Sequence, residues 1–339
     1  MDHVIVLDGT LSRLDAGRET NAGLAYKLLS EMAARGALTL YYEAGVQWPD
    51  WRRTMDVVEG KGINRMIRRA YGFLATRYRP GDRIFLIGYS RGAYAVRSLA
   101  GVIDRLGLLR RDFATERMIA QAYRHYQLTP DSKAARAFTE TYCHRNVPIE
   151  MVGVWDTVKA LGLRLPVLWQ LTEPEHAFHN HALGPTVLHG YQALALDERR
   201  EAFAPVLWET PDGHQGRIEQ VWFRGTHGDI GGQLAGFDPA RPVSNLTLHW
   251  LLGKAESHGL ALPENWRCRF PVDPNGPLSG MNRGWGKLFL LRSRRRPGQD
   301  PSESVYPTAA DHRLAKGLPV YESGNGDVEA PLEAEAQMV

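Results

Sequence analysis

Ser90 stands in Gly88-Tyr89-Ser90-Arg91-Gly92, a G-x-S-x-G pentapeptide directly after the apolar run Ile84-Phe85-Leu86-Ile87 and directly before a helical pattern. Placement carries more information here than the letters do. In a nucleophile elbow the serine sits on a strained strand-to-helix turn, and crowded backbone leaves no room for a Cβ at the flanking positions. A serine hydroxyl is a weak nucleophile at neutral pH, so acyl transfer needs a base, and the base needs an orienting group. Asp156, in Val154-Trp155-Asp156-Thr157, and His227, in Phe223-Arg224-Gly225-Thr226-His227-Gly228-Asp229, supply them, each just past an apolar run. The spacings are 66 and 71 residues, long enough for intervening helices.

Each partner has a competitor. Asp156-Thr157 also fits the start of a helix, where an Asp caps free N–H groups. Asp229 is a second carboxylate that could support His227. His227 is one of twelve histidines, and its rivals include His189 and the group His176, His179 and His181. That group has metal-like spacing but no second ligand set, and it reads as loop. The transition state of acyl transfer carries an oxyanion that requires at least two fixed donors. The N–H of Arg91 is one; Gly9 or Thr10, in the Asp8-Gly9-Thr10 loop, offers the other, with Ser12 or Asn21 to tie that loop down. The order Ser, Asp, His is that of α/β-hydrolases, and such a site needs neither metal nor cofactor. Two other readings compete: a metal-dependent phosphoesterase using Asp8, Asp156, His227 and Asp229, and a non-catalytic interaction module on the same fold.

Strand ends must place these residues. Apolar runs predict strands at Val4–Leu7, Leu38–Tyr42, Arg83–Ile87, Ile149–Trp155 and Ile218–Arg224. Helical spacing is seen near 21–35, 63–78, 112–126 and 132–142, and again from Ser244. Strands alternating with helices predict an α/β fold with a mostly parallel central sheet, helices on both faces and lid-like insertions. The expected organisation is one domain over residues 1–320 and a loose acidic tail over 321–339. Leu163–His189 and Trp266–Asp300 lack a clear pattern and read as insertions. In the first, Leu165, Pro166, Val167, Leu168, Trp169 and Leu171 suit an apolar lid over an acyl pocket. In the second, the run from Arg292 to Arg296 is a solvated face or a contact for phospholipid headgroups.

Composition narrows the classes further. The 339 residues are 43% hydrophobic and carry a formal net charge of +3, so a disordered chain is ruled out and no nucleic-acid footprint is demanded. Two cysteines, Cys143 and Cys268, exclude a disulfide framework and leave a single bridge open. No apolar run of roughly 18 residues is present, and Met1-Asp2-His3 does not open a signal peptide. The expectation is a protein cytoplasmic as synthesised, with export by a route that needs no cleaved signal left open.

Several blocks in order resemble a known family. They are Asp8-Gly9-Thr10, Gly88 to Tyr94 with Arg97 to Gly101, Val154 to Val158, Ala193 to Arg200, and Trp222-Phe223 to His227 with Asp229 to Gly232. Together they resemble the DUF2235 α/β-hydrolase family, which includes the catalytic domain of Tle1-type phospholipase effectors of the type VI secretion system. The resemblance implies a serine esterase or lipase with Ser90, Asp156 and His227 as catalytic residues, acting on acyl esters of membrane phospholipids. It also implies peripheral membrane contact and a secretion-apparatus or immunity-protein partner. Where many members carry a third glycine and an aromatic residue, this chain reads Ile230-Gly231-Gly232-Gln233, and it is shorter than full effectors with their membrane-engaging segments.

Overall fold

Every residue of β1 (Asp2–Leu7) is buried, and its apolar side chains divide by parity. Val4 and Val6 enter the core on one face; Ile5 and Leu7 enter the core on the other. Two-residue sorting with both faces apolar is what a parallel strand covered by helices requires. The computed structural model describes residues 1–45, 61–158, 182–210, 213, 216–283 and 291–322. From β1 the chain continues through α1 (Asn21–Ala34), β2 (Leu38–Glu43), α2 (Lys61–Ala75), β3 (Arg83–Tyr89) and α3 (Arg91–Leu106). Then follow β4 (Leu108–Leu109), α4 (Glu116–Leu128), α5 (Lys133–Tyr142), β5 (Cys143–His144), β6 (Ile149–Trp155) and β7 (Val187–Ala195). The last elements are β8 (Arg217–Phe223), α6 (His227–Gly231), α7 (Arg241–Ser257) and β9 (Glu303–Val305).

Seven strands form one sheet in the order β2-β1-β3-β6-β7-β8-β9, every neighbouring pair parallel, and β4 and β5 pair separately. This is an α/β-hydrolase-like arrangement. Ile67 and Leu74 of α2, Leu99 and Ile103 of α3, Tyr123 of α4 and Phe138 of α5 pack on one face. Leu28 and Leu29 of α1 and Leu248 and Leu251 of α7 pack on the other. After β2 the chain crosses β1 to begin β3, so the order reverses there. A crevice opens at such a switch point, outside the carboxyl ends of the strands. The loop beginning at Asp8 and the turn at Ser90 both leave the sheet at that point.

The sheet has two strands more than the sequence reading anticipated. β7 begins at Val187, so residues 187–189 belong to a central strand and not to an insertion. Gln192 interrupts its apolar pattern, yet it is fully buried and bonded to Thr157, Gln220 and the Val206 carbonyl. β9 adds an edge strand just past the Arg-rich stretch. β3 runs through Gly88 to Tyr89, two residues beyond the anticipated end. The helix expected from 112 starts at Glu116, where the Thr115 hydroxyl accepts the Met118 N–H. Tyr321, the first residue of the anticipated tail, is buried against Tyr306 and Trp250. The rest of the tail from 323, the apolar stretch from Leu165 to Leu171, and His176, His179 and His181 lie outside the described residues. Cys143, buried, and Cys268, exposed, are both free thiols. Among the described residues no helix is long and apolar enough to cross a membrane.

Candidate active site

Ser90 occupies a conformation that strands and helices both avoid, φ 57° and ψ −120°, between the last residue of β3 and the first of α3. A non-glycine residue at positive φ costs roughly 1–3 kcal/mol and persists only where its surroundings over-determine it. The surroundings do so here: the Ser90 N–H donates to the Trp155 carbonyl at 3.1 Å, and its own carbonyl accepts the Tyr94 N–H. Gly92 explains the close packing beneath. A Cβ there would lie 2.1 Å from the Leu7 carbonyl oxygen, so only glycine lets α3 start this near β1.

From this turn a chain of hydrogen bonds crosses the crevice. Ser90 Oγ lies 2.9 Å from His227 Nε2, and His227 Nδ1 lies 2.6 Å from Asp156 Oδ2. The three sequence candidates, from the ends of β3, β6 and β8, are thus brought into direct contact. Asp156 itself has φ 42°, a second strained residue in the same chain. His227 opens α6, and its imidazole lies between two rings, Tyr89 at 4.9 Å and Phe203 at 4.7 Å between centroids. Its backbone N–H donates to Glu198 Oε2 at 3.1 Å, and Glu198 is held in turn by the Arg200 guanidinium. Burial pushes the Glu198 carboxyl up, but its bonds to Arg200 outweigh that and hold it below its ordinary value. Glu198 belongs to a block that the family resemblance already marked, and its contact with His227 supplies the reason.

A residue that the sequence reading placed only within an Arg-rich run joins this chain. Arg295 donates from Nη1 to Asp156 Oδ1 at 2.5 Å and from Nη2 to Oδ2 at 2.8 Å, and Nη2 also reaches the Phe203 carbonyl at 2.7 Å. The Arg-rich run is therefore not one solvated or headgroup-facing surface. Arg292, Arg294 and Arg296 are exposed, while Arg295 turns inward and is buried. Burial by itself would push the Asp156 carboxyl up; the charge and bonds of Arg295, with those of His227, hold it well below the usual carboxylate range. Backbone contacts fix the segment on both sides. Ser293 N–H donates to the Arg199 carbonyl, and the Glu303 carboxylate gathers the N–H groups of Gly298, Gln299 and Asp300 and the indole N–H of Trp222.

The Asp8 loop lies against the serine, with a Cβ on Gly9 falling 3.3 Å from Ser90 Cβ. Asp8 accepts the Gly9 N–H at 2.6 Å, the Thr20 hydroxyl at 2.7 Å and the Tyr42 hydroxyl at 2.9 Å. Burial outweighs these bonds and raises its carboxyl to about 6. The Gly9 N–H is thereby committed to Asp8, which removes it as an oxyanion donor. Among the described residues no acceptor is found for the N–H of Thr10 or of Arg91. Ser12 ties the loop down through the Gly45 N–H; Asn21 does not, since its amide donates to Ile230, Ser244 and Thr247. Asp229 does not touch the His227 ring. It caps α6, accepting the N–H and hydroxyl of Thr226 and the N–H of Ser279.

The donor sets do not favour metal at this site. Asp8, Asp156 and Asp229 are each saturated by separate donors, and Asp156 already faces a guanidinium, which repels a cation. The described residues that approach a ligand set are Glu150, His189 and His258, at the amino end of the sheet. His189 Nε2 and His258 Nδ1 each lie 4.0 Å from Glu150 Oε1, but the two imidazoles stack at 3.8 Å with planes 18° apart. Lone pairs in near-parallel planes do not converge on one ion.

Comparison with known proteins adds the family. A family model described as the catalytic domain of the Tle1-like phospholipase effectors of type VI secretion matches residues 2–254. The chain belongs to this family. An uncharacterized protein of Saccharomyces cerevisiae is 28% identical over 226 residues, 59% of this chain and 31% of that protein. Among solved structures, an uncharacterized Pseudomonas aeruginosa protein is similar at 16% identity and a TM-score of 0.46, with 80% of this chain and 49% of that one covered. A Tle1 effector bound to the VgrG spike of the type 6 secretion system is similar at 16% identity and a TM-score of 0.27, with 68% and 50% covered. The chain spans less than a third of the yeast relative and about half of each solved chain. Ser90, Asp156 and His227 fall inside the residues matched by the family model, and Arg295 falls outside them.

Proposed function

We propose that this Tle1-like domain is a serine esterase that cleaves acyl esters of lipids, phospholipids among them, through Ser90, His227 and Asp156. The observation that carries the reading is the continuous hydrogen-bonded chain from Ser90 Oγ through His227 to Asp156, starting at a strained strand-to-helix turn. In the first step His227 Nε2 takes the Ser90 hydroxyl proton as Oγ adds to the ester carbonyl carbon. The N–H groups of Arg91 and Thr10 are the donors for the oxyanion. Collapse breaks the bond to the alcohol oxygen, which receives the proton from Nε2, and leaves an acyl group on Ser90. Water repeats the sequence, with His227 as base, and releases the fatty acid. Asp156 stays ionised throughout and holds the imidazolium. The family description supports lipid as substrate. Docking on a secretion spike, neutralisation by an immunity protein, peripheral membrane contact and export without a cleaved signal belong to the same proposal.

The test compares wild type with Ser90→Ala on p-nitrophenyl esters of increasing chain length and on phosphatidylethanolamine vesicles, with and without chelator. The expected outcome is chelator-insensitive release of p-nitrophenol and fatty acid by wild type and none by the variant. Full activity in Ser90→Ala would overturn the mechanism. Activity confined to short esters would keep the mechanism and remove the lipid substrate.

A further inference from the structure

We propose that Arg295 is a positioning residue for ester hydrolysis: its guanidinium fork fixes the Asp156 carboxylate in the plane and rotamer that meet His227 Nδ1. The inference rests on the reading of Ser90, His227 and Asp156 as the reacting chain. Asp156 has no other side-chain partner among the described residues beyond His227, and one backbone donor, the Ala195 N–H at 3.1 Å. Those two contacts hold each oxygen by a single donor, the Ala195 N–H on Oδ1 and His227 on Oδ2. Two parallel N–H donors at 2.5 and 2.8 Å add a second, charged donor to each oxygen from one rigid group, and a bidentate fork sets the plane as well as the position of a carboxylate.

The same guanidinium reaches the Phe203 carbonyl, and the Phe203 ring lies on His227. Arg295 therefore holds both the partner of the imidazole and one of the two rings that confine it. Its Nε is buried without a hydrogen-bond partner, so the group is oriented toward Asp156 and Phe203 at the expense of one of its own donors. An arginine suits this role better than a lysine, since only a planar fork serves both oxygens at once. Arg295 comes from a segment past the residues matched by the family model, 139 positions after Asp156 in the chain. The matched residues thus hold the reacting groups but not the group that orients one of them.

The experiment uses the full chain with p-nitrophenyl butyrate as probe. Arg295→Met and Arg295→Lys are made alone and in the Asp156→Asn background, and kcat, KM and thermal melting are measured for each. Arg295→Met should lower kcat by about 100-fold, the scale of a misplaced catalytic group, with KM unchanged. Arg295→Lys should fall between it and wild type. In the Asp156→Asn background, Arg295→Met should cost nothing further, because a residue acting through Asp156 has nothing left to position; a merely structural role would make the losses multiply. A kcat within about twofold of wild type for Arg295→Met, or multiplying losses, would overturn the proposal. Should Arg295→Met show no melting transition, Arg295→Lys decides: reduced kcat with an unchanged melt supports the proposal, and unchanged kcat overturns it. Ser90→Ala separates the two levels. If it retains activity, the reacting chain is wrong; if it is inactive while both Arg295 variants are fully active, only the positioning role fails.

Discussion

Tyr89 holds His227 in two ways at once: its ring stacks on the imidazole at 4.9 Å between centroids, and its hydroxyl donates to the His227 carbonyl at 3.2 Å. The tyrosine next to the serine in sequence is thus the floor beneath the His227 imidazole in space. Tyr89→Phe keeps the ring and loses one hydrogen bond, so it should lower stability by about 1 kcal/mol and leave kcat within about tenfold of wild type. Tyr89→Ala empties a fully buried site and should cost roughly 3–5 kcal/mol in denaturant unfolding. A larger activity loss in Tyr89→Phe than in Tyr89→Ala would contradict this account.

Asp156→Asn should lower kcat by about 10,000-fold and leave measurable residual activity, Ser90→Ala should remove the acyl-enzyme route, and the two should differ in stability. Removing the Ser90 hydroxyl leaves no buried charge without a partner. Replacing Asp156 strips the counter-charge from buried Arg295, a change worth about 3–5 kcal/mol when one member of a buried pair is lost. Asp156→Asn should therefore unfold at lower urea concentration than wild type, while Ser90→Ala unfolds close to it. Equal midpoints for the two variants would mean that the Arg295 to Asp156 pair is not held as described.

Asp8 gives stability an unusual pH dependence. Its carboxyl stands at about 6 when folded, above the ordinary value of 3.8, because burial penalises the charge. Folding therefore takes up a proton between those values. The contribution is fully present below about pH 4 and is lost as pH rises through 6, amounting to about 3 kcal/mol. Asp156 runs the other way: held low, it stabilises above the ordinary carboxylate range and loses that contribution as pH falls into strong acid. Urea unfolding from pH 4 to 7 should show the Asp8 decline in wild type and a flatter profile in Asp8→Asn. An unchanged slope in the variant would place the titration elsewhere.

Ser90, Asp156 and His227 are legible as candidates because each lies at the end of an apolar run, where a local pattern announces a strand end facing the crevice. Ser90 carries the clearest signal, since Gly88 answers to backbone crowding from Gly92 and Ala93 in the same turn, while Gly92 answers to Leu7 and Asp8 at the end of the neighbouring strand. Arg295 left no such trace: its partner is 139 positions away, and a run of arginines reads as surface whichever member turns inward. β7 was hidden by Gln192 and Gly190, whose burial makes sense only once Gln220 and Thr157 arrive from other strands. Gly9 was misjudged for a related reason. A side chain one residue earlier takes its N–H, and competition of that kind depends on how the Asp8 rotamer packs.

The parallel edge strand β9 and the segment before it set a timetable for the chain during synthesis. Ser90, Asp156 and His227 are all translated before the arginine that clamps Asp156, which follows it by 139 residues. The last of the three, His227, precedes Arg295 by 68 residues, an interval of roughly 3–14 seconds at ribosomal speeds. During it a nascent chain carries Ser90, Asp156 and His227 while Asp156 still lacks its guanidinium partner. Full assembly of the site waits for the last strand of the sheet to add itself beside β8.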